Sequence, residues 1–344
     1  MIKKLSVKNF KSIKELEIDC RRINLFIGKP NTGKSNILEA LGLLSWCGYG
    51  DMPLKEYVRF QYTQNLFYDN LVDEPVEIKI EGSTDISVEI TFKDNVFSFY
   101  LTAPFVERRA DLSETTKVET RNICQLNYSG SESRTILSVS EFIKPYKFKE
   151  QTDFQGKESS SLMPPHGSNM FSVVMGNRKL RTSMARFFKN FGFELVLRMQ
   201  DNTFEFQKRA EDKDMGIGDV IQYPYILASG TLQRIIFYII AMESNENSTL
   251  IFEEPECHAF PYYTKYLGER IAFDEKNQYF IATHNPYLLL SILEKTPKDG
   301  VNVFITYYRD YQTKVKRLND EEMSELMDYD PFANLDLFIE KNKK

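Results

Sequence analysis

Apolar residues alternate with polar ones near the start of the chain: Leu5, Val7 and Phe10, then Ile13, Leu16 and Ile18. A period of two puts every second side chain on one face, so these segments predict the two strands of a hairpin. Ile23-Asn24-Leu25-Phe26-Ile27 is a short apolar run, the pattern of a strand buried in the centre of a sheet. From Ser35 to Leu44 the period lengthens, with Ile37, Leu38, Leu41 and Leu44 on one helical face. The order is strand, glycine-containing loop, helix.

Between about residues 50 and 220 the pattern is looser. Glu77–Glu81, Ser87–Phe92 and Val96–Leu101 alternate as strands. Residues 150–169, with Ser159-Ser160-Ser161 and Pro164-Pro165, predict a mobile loop or linker. Leu180–Phe191 reads as a helix, and Phe193–Leu197 with Thr203–Phe206 as a hairpin. No heptads are sustained, which argues against a long coiled-coil arm. From about 225 the signal sharpens. Helices are predicted at Leu232–Met242, Tyr262–Ile271 and Pro286–Leu293, and buried strands at Thr249–Phe252 and Tyr279–Ala282. Val301–Tyr308 and Thr313–Leu318 read as closing strands. Such β-α-β-α-β alternation favours a parallel sheet with helices packed on it.

Composition narrows the setting. The 344 residues, 42% hydrophobic, suffice for one large or two modest cores. With 44 Lys+Arg against 49 Asp+Glu, the net charge of -5 gives no support for a generally basic, DNA-coating protein, though a local basic patch is compatible with it. Cys20, Cys47, Cys124 and Cys257 form no C-x-x-C pair, which argues against a zinc ribbon or a secreted disulfide framework. No apolar stretch reaches the roughly 18 residues of a membrane span. Met1–Lys8 lacks the apolar region of a signal peptide, so a mature cytoplasmic protein is expected.

Candidate chemistry begins at Gly28-Lys29-Pro30-Asn31-Thr32-Gly33-Lys34-Ser35, which fits G-x-x-x-x-G-K-S without a mismatch. Glycines at both ends let the backbone turn so that successive N–H groups point at phosphate oxygens. Lys34 is expected on the β- and γ-phosphates and Ser35 on Mg²⁺. Thr249–Phe252 runs into Glu253-Glu254. Paired acids at a strand end suit a metal contact, assigned to Glu253, and polarisation of water, assigned to Glu254. Glu253 stands where such motifs usually carry Asp, so its metal contact is expected to differ or to run through water. Ser229-Gly230 opens a helix and offers either a second anion site or an ordinary N-cap. His284 follows a buried strand, with Asn285 as cap and Pro286 at the first helical position, and suits a hydrogen bond to a γ-phosphate or a purely structural turn. Asp328-Tyr329-Asp330 mimics a metal-binding D-x-D pair but has no strand framework around it, and Cys257-His258 has no further ligands nearby.

Taken together, Asn9-Phe10-Lys11-Ser12, Gly33-Lys34-Ser35-Asn36, Ser229-Gly230-Thr231, Glu253-Glu254-Pro255-Glu256 and Thr283-His284-Asn285-Pro286 resemble the head of ABC-type ATPases. The pattern looks most like the RecF/SMC-like branch, particularly the ATPase half of the OLD (overcoming lysogenization defect) family and its stand-alone relatives. The resemblance covers about the first 45 residues and roughly 225–310. It implies an α/β P-loop NTPase fold: an ABC-ATPase-like head with a mixed central sheet, a β-rich N-terminal lobe and a helical insertion lobe. On this reading 1–48 and 222–318 form the nucleotide-binding core, and 49–221 is an inserted β/α lobe.

The resemblance further implies a homodimer with ATP and Mg²⁺ held between the subunits. Gly28, Lys29, Pro30, Asn31, Thr32, Gly33, Lys34, Ser35 and Asn36 would bind nucleotide in one copy, with Ser229 and Gly230 reaching over from the other. Glu254 would activate water, His284 would sense the γ-phosphate, and Lys11 would lie near the nucleotide. Gln61, Gln64 and Gln125 are equivalent candidates for the glutamine loop of such heads. The signature reads Ser-Gly-Thr rather than Ser-Gly-Gly-Gln, and the gap from Ser35 to Ser229 is long for a transporter subunit. Too few residues follow His284 for the nuclease domain of full OLD proteins. The expected function is an ATP-driven switch controlling a separate effector, with phage or plasmid defence as one setting. The alternative is a DNA-repair or chromosome-maintenance ATPase that binds DNA.

Overall fold

The computed structural model describes residues 1–49, 52–108, 114–128, 132–135, 138–151, 153–154, 159–211, 218–328, 331–332 and 335–340. The amino-terminal hairpin forms as its alternation predicts: β1 (Ile2–Phe10) pairs antiparallel with β2 (Ile13–Asp19), burying Leu5, Val7, Phe10 and Ile13. β3 (Ile23–Gly28) is buried at every position, and the loop after it leads into α1 (Lys34–Gly48). α2 (Leu54–Tyr57) then precedes β4 (Val76–Gly82), β5 (Ile86–Lys93), β6 (Val96–Arg108), β7 (Glu114–Leu126) and β8 (Glu132–Arg134). Among the described residues these strands and the hairpin make one antiparallel sheet, ordered β2-β1-β4-β5-β6-β7-β8.

The second sheet carries the site. β9 (Ile143–Tyr146), β13 (Thr249–Glu253), β14 (Gln278–Ala282), β3 and β15 (Val301–Arg309) run parallel, and β16 (Gln312–Arg317) closes the edge antiparallel to β15. The order β16-β15-β3-β14-β13-β9 makes the sheet mixed, as expected. Edge strand β9 comes from the middle of the chain, so the core sheet also draws on a segment whose sequence showed no clear strand. The third sheet is the antiparallel set β10 (Glu194–Arg198), β11 (Thr203–Glu211) and β12 (Gly218–Pro224). Helices α3 (Met170–Gly176), α4 (Arg178–Lys189), α5 (Gly230–Glu243), α6 (Pro261–Phe273) and α7 (Pro286–Lys295) follow in chain order, with α8 (Asp320–Asp328) and α9 (Leu335–Glu340) after the sheet.

Alternation along the central strands assigns their two faces. Ile23, Leu25, Ile27, Tyr279 and Ile281 join the core shared with α5, α6 and α7, whereas Phe26, Phe280, Ala282 and Phe304 join α1 and the antiparallel sheet. On the α1 side Phe26 stacks with Phe304 at 5.2 Å and with Phe280 at 6.4 Å between ring centroids, tying three adjacent strands together. The one-sided amphipathic pattern read for α1 proves incomplete. Every residue from Ile37 to Gly48 is buried, because the helix lies between two sheets rather than under one. The loop expected to be mobile near 150–170 is anchored over 159–169. Leu162 is fully buried, Tyr146 Oη donates to its carbonyl at 2.5 Å, and Asn169 Oδ1 accepts from Met163 N at 2.8 Å. The remaining parts of that loop at 152 and 155–158, and Tyr329-Asp330 of the acidic pair, lie outside the described residues.

Candidate nucleotide-binding site

The loop between β3 and α1 is clamped so closely that only glycine fits its two ends. A Cβ on Gly28 would stand 2.3 Å from the Thr306 carbonyl oxygen. Gly33 has φ +94°, and its Cβ would stand 2.0 Å from Thr313 Oγ1. The β15–β16 hairpin therefore forms the back wall of the loop. Thr32 strengthens the contact, its hydroxyl donating to the Lys29 carbonyl at 2.8 Å and lying 2.8 Å from the Thr306 hydroxyl. No side chain caps α1, so its first N–H groups remain for an anion.

Lys34 folds back into this loop. Its ammonium donates to the carbonyls of Gly28 and Lys29, both at 2.8 Å, which holds the loop around the charge. Burial pushes its pKa down to about 8, against the pull of Glu254 and Glu253. A desolvated cation gains most from an anion brought directly to it. Lys34 lines a cavity of about 650 Å³ with Ser12 and Pro30–Asn36 on one side and Glu253, Glu254 and His284 on another. Arg59, Lys147 and Arg234 line it too, so four cations converge where a polyphosphate would lie.

The carboxylates enter from the carboxyl ends of neighbouring strands. Glu253 ends β13, with Arg59 Nη2 at 3.3 Å from its Oε1. Glu254 has φ +45°, a left-handed conformation that non-glycine residues adopt at a cost. Its N–H donates to the Ala282 carbonyl at 2.9 Å, fixing the turn beside β14. Glu254 Oε1 and His284 Nε2 lie 3.5 Å apart. Burial and the Lys34 charge hold the His284 pKa below its usual value, with Glu254 opposing, so the ring is neutral at pH 7. Asn285 caps α7 as expected, accepting from Tyr287 N at 2.9 Å and Leu288 N at 3.3 Å, with Pro286 in the first turn.

A buried carboxylate joins the two turns. Glu256 accepts a hydrogen bond from the Thr283 hydroxyl, whose oxygen in turn accepts from Asn285 N at 3.0 Å. Its other oxygen has no hydrogen-bond partner among the described residues, and burial raises its pKa to about 7.

The structure thus brings Pro30–Asn36, Glu253, Glu254 and His284 together around one cavity. Gly28 and Lys29 hold Lys34 through their carbonyls, while the Lys29 ammonium reaches Asp336 of α9 at 2.7 Å. Lys11 does not line the cavity. Its amine is taken by the buried Glu39 carboxylate and the Arg59 carbonyl, placing it behind α1 rather than over the nucleotide. None of Gln61, Gln64 and Gln125 lines the cavity either. Ser229 and Gly230 stand apart from it, with the Ser229 hydroxyl accepting from Leu232 N at 3.4 Å as an N-cap.

Sequence reasoning missed Arg59, Lys147, Phe148, Arg234 and Tyr238. Arg234 was the most accessible of these, being one helical turn beyond Gly230. The other four carry no local motif and reach the cavity only through the fold.

The residues fit both expected ligands. Uncapped N–H groups and four cations suit a triphosphate. Ser35 and Glu253 line the same space, and among the described residues no group of three or more His, Cys, Asp or Glu gathers as a metal cage. Mg²⁺ is commonly held by one or two protein oxygens, with phosphate and water completing its shell, so this pair suits Mg²⁺ delivered with a nucleotide.

Residues 1–162 match the family model described as AAA ATPase domain. The chain is an ATPase. Its fold is similar to the Smc head domain with an extended coiled coil bound to the C-terminal domain of ScpA, derived from Pyrococcus furiosus. That match has 14% identity and a TM-score of 0.50 and covers 95% of this chain and 98% of that one. The SMC head domain from Thermotoga maritima gives 14% identity and a TM-score of 0.42, covering 92% and 99% of the two chains. An SmcHead bound to the C-winged helix domain of ScpA gives 15% and 0.49, covering 94% and 99%. No curated protein matches the chain by sequence. With the P-loop and the mixed sheet, the ATPase has an α/β fold of the ABC-ATPase-like type, similar to that of the Pyrococcus furiosus Smc head. No described helix is long and apolar enough to cross a membrane.

Proposed function

We propose that this ATPase is a molecular switch in which two copies close face to face on two ATP molecules. The observation that supports this is a separation within one chain. The Ser229-Gly230 helix start lines no part of the cavity around Lys34, so it would reach a nucleotide only when that nucleotide is held by a second copy. Ser35 and Glu253 would hold Mg²⁺, which would supply charge neutralisation to the phosphates. Glu254 takes a proton from the attacking water, and neutral His284 donates a hydrogen bond to the γ-phosphate. Closure and opening then control a separate effector protein in the cytoplasm, in phage or plasmid defence of the OLD type.

A second reading, an ATPase of DNA repair or chromosome maintenance, draws support from the fold likeness to the Pyrococcus furiosus Smc head, described as bound to a domain of ScpA. DNA across the closed dimer would then be the ligand.

Hydrolysis and oligomeric state of wild type, Lys34→Ala and Glu254→Gln test the switch. Lys34→Ala should lose ATP binding. Glu254→Gln should bind ATP, turn over at least about 100-fold more slowly and accumulate as a dimer. A glutamine variant that keeps wild-type turnover, or stays monomeric with ATP, would refute the assigned role. Salt-sensitive DNA binding by the ATP-bound dimer would favour the second reading.

A further inference from the structure

We propose that a groove on the far side of α5 is a second ligand site, built for one nucleotide unit with its base stacked on tyrosine and its phosphate held by arginine. The groove is a cavity of about 500 Å³ between α4 and α6, floored by Ile239 of α5. That size falls within the usual range for small-ligand sites.

Its walls combine aromatic rings with cationic side chains. Tyr262, Tyr263 and Tyr266 come from one face of α6, and Tyr262 is 68% exposed. Tyr262 and Tyr263 meet edge to face at 5.2 Å, and Phe191 supports Tyr263 at 5.7 Å, so the rings brace one another while the Tyr262 face stays open. Arg186 enters from α4 and Arg270 from α6. The acid facing them from α5 is Glu243, which is buried and engaged by Arg270 and by the Ser183 hydroxyl at 3.0 Å. Arg186 is exposed, with no ion pair among the described residues, and is free to fork onto a phosphate.

The surroundings favour a nucleotide over an aromatic peptide. α4 carries Arg178, Lys179, Arg181, Arg186 and Lys189 with no acidic residue, in a chain whose net charge is -5. Of these Arg186 lines the groove, and Lys179, seven residues earlier and exposed, lies on the same helical face about 10 Å away. Stacked aromatic faces beside a cationic track are the elements by which proteins hold single nucleotides and unpaired strands. The groove also shares a helix with the ATP site: Ile239 lies five residues along α5 from Arg234, about 7–8 Å of rise.

The test uses fluorescein-labelled oligothymidylate and free thymidine monophosphate, followed by anisotropy and calorimetry at about 50 mM salt. Wild type is compared with Tyr262→Ala and Arg186→Ala, exposed positions outside the ATP site whose basal hydrolysis should be unchanged. Each substitution should weaken binding at least about tenfold, and Arg186→Ala should reduce the salt slope by about one. Variant-sensitive binding of the monophosphate assigns the site to free nucleotides, and binding of the oligomer alone assigns it to a strand. The proposal is overturned if neither probe binds, if both variants bind as wild type, or if duplex binds as well as single strand. It is also overturned if a tyrosine-terminated peptide displaces the nucleotide at lower concentration.

Discussion

Replacing Glu256 with glutamine should change how stability depends on pH. In the folded chain burial raises the Glu256 pKa from the ordinary 4.5 to about 7, only partly offset by its Thr283 hydrogen bond. A raised carboxyl pKa means that the folded state binds more protons than the unfolded state between those values. Its stabilising contribution is full below about pH 4.5 and is lost as pH rises through 7. Moving the carboxyl pKa from 4.5 to about 7 corresponds to about 3 kcal/mol, of which about 2 to 3 kcal/mol falls between pH 5 and pH 8. Glutamine keeps the shape and one hydrogen bond toward Thr283 but has no charge to desolvate. Urea unfolding of wild type and Glu256→Gln at pH 5, 6, 7 and 8 isolates this group, since the other titrating groups are common to both. The variant should gain about 2 to 3 kcal/mol on the wild type over that range. Parallel stability curves from pH 5 to pH 8 would show that Glu256 is not ionising in a buried site.

Glu39→Ala leaves the Lys11 ammonium and the Arg59 guanidinium without their shared carboxylate, and should cost about 3 to 5 kcal/mol by chemical denaturation. Gly33→Ala places a methyl 2.0 Å from Thr313 Oγ1 at φ +94°, and should weaken ATP binding by at least about tenfold in a filter or calorimetric assay. Asn285→Ala removes the α7 cap and should lower stability by about 1 kcal/mol, with a rise in the KM for ATP as the His284 turn loosens. A protonated His284 would engage the Glu254 carboxylate that takes the proton from water, so hydrolysis should fall as pH drops below the ordinary imidazole range, and His284→Gln should remove that contribution to the acid limb.

Hydrophobic period carried most of the element assignment. The β1–β2 hairpin, β3, α5, β13, β14, α7 and the β15–β16 pair lie where alternation, helical spacing or a short unbroken apolar run puts them, the central strands reading as such runs because their two faces meet two cores. Elements were missed where that rule fails. β9 has only four residues and earns burial by joining β13 at the sheet edge, and β7 reads as polar because its length carries it beyond the core. Around the ATP site, Gly28, Gly33, Lys34, Ser35, Glu253, Glu254 and His284 were legible because a phosphate-binding turn and strand-end acids demand fixed residue types at short spacing. Arg59, Lys147 and Arg234 were not, since an arginine or lysine brought in from a distant element has no local signature.

The sequence by itself determined the nature of the chemistry: a glycine-bounded loop followed by Lys34 and Ser35, and acids at the end of a buried strand, admit few uses besides holding and cleaving a phosphoanhydride. Tertiary structure decided which groups share the cavity. It withdrew Lys11 to a buried carboxylate, supplied Arg59, Lys147 and Arg234 in its place, and set Glu256 between the Glu254 and His284 turns. Local sequence encodes what backbone geometry and periodicity require, whereas the pairing of distant charges follows from how the two sheets stack around α1.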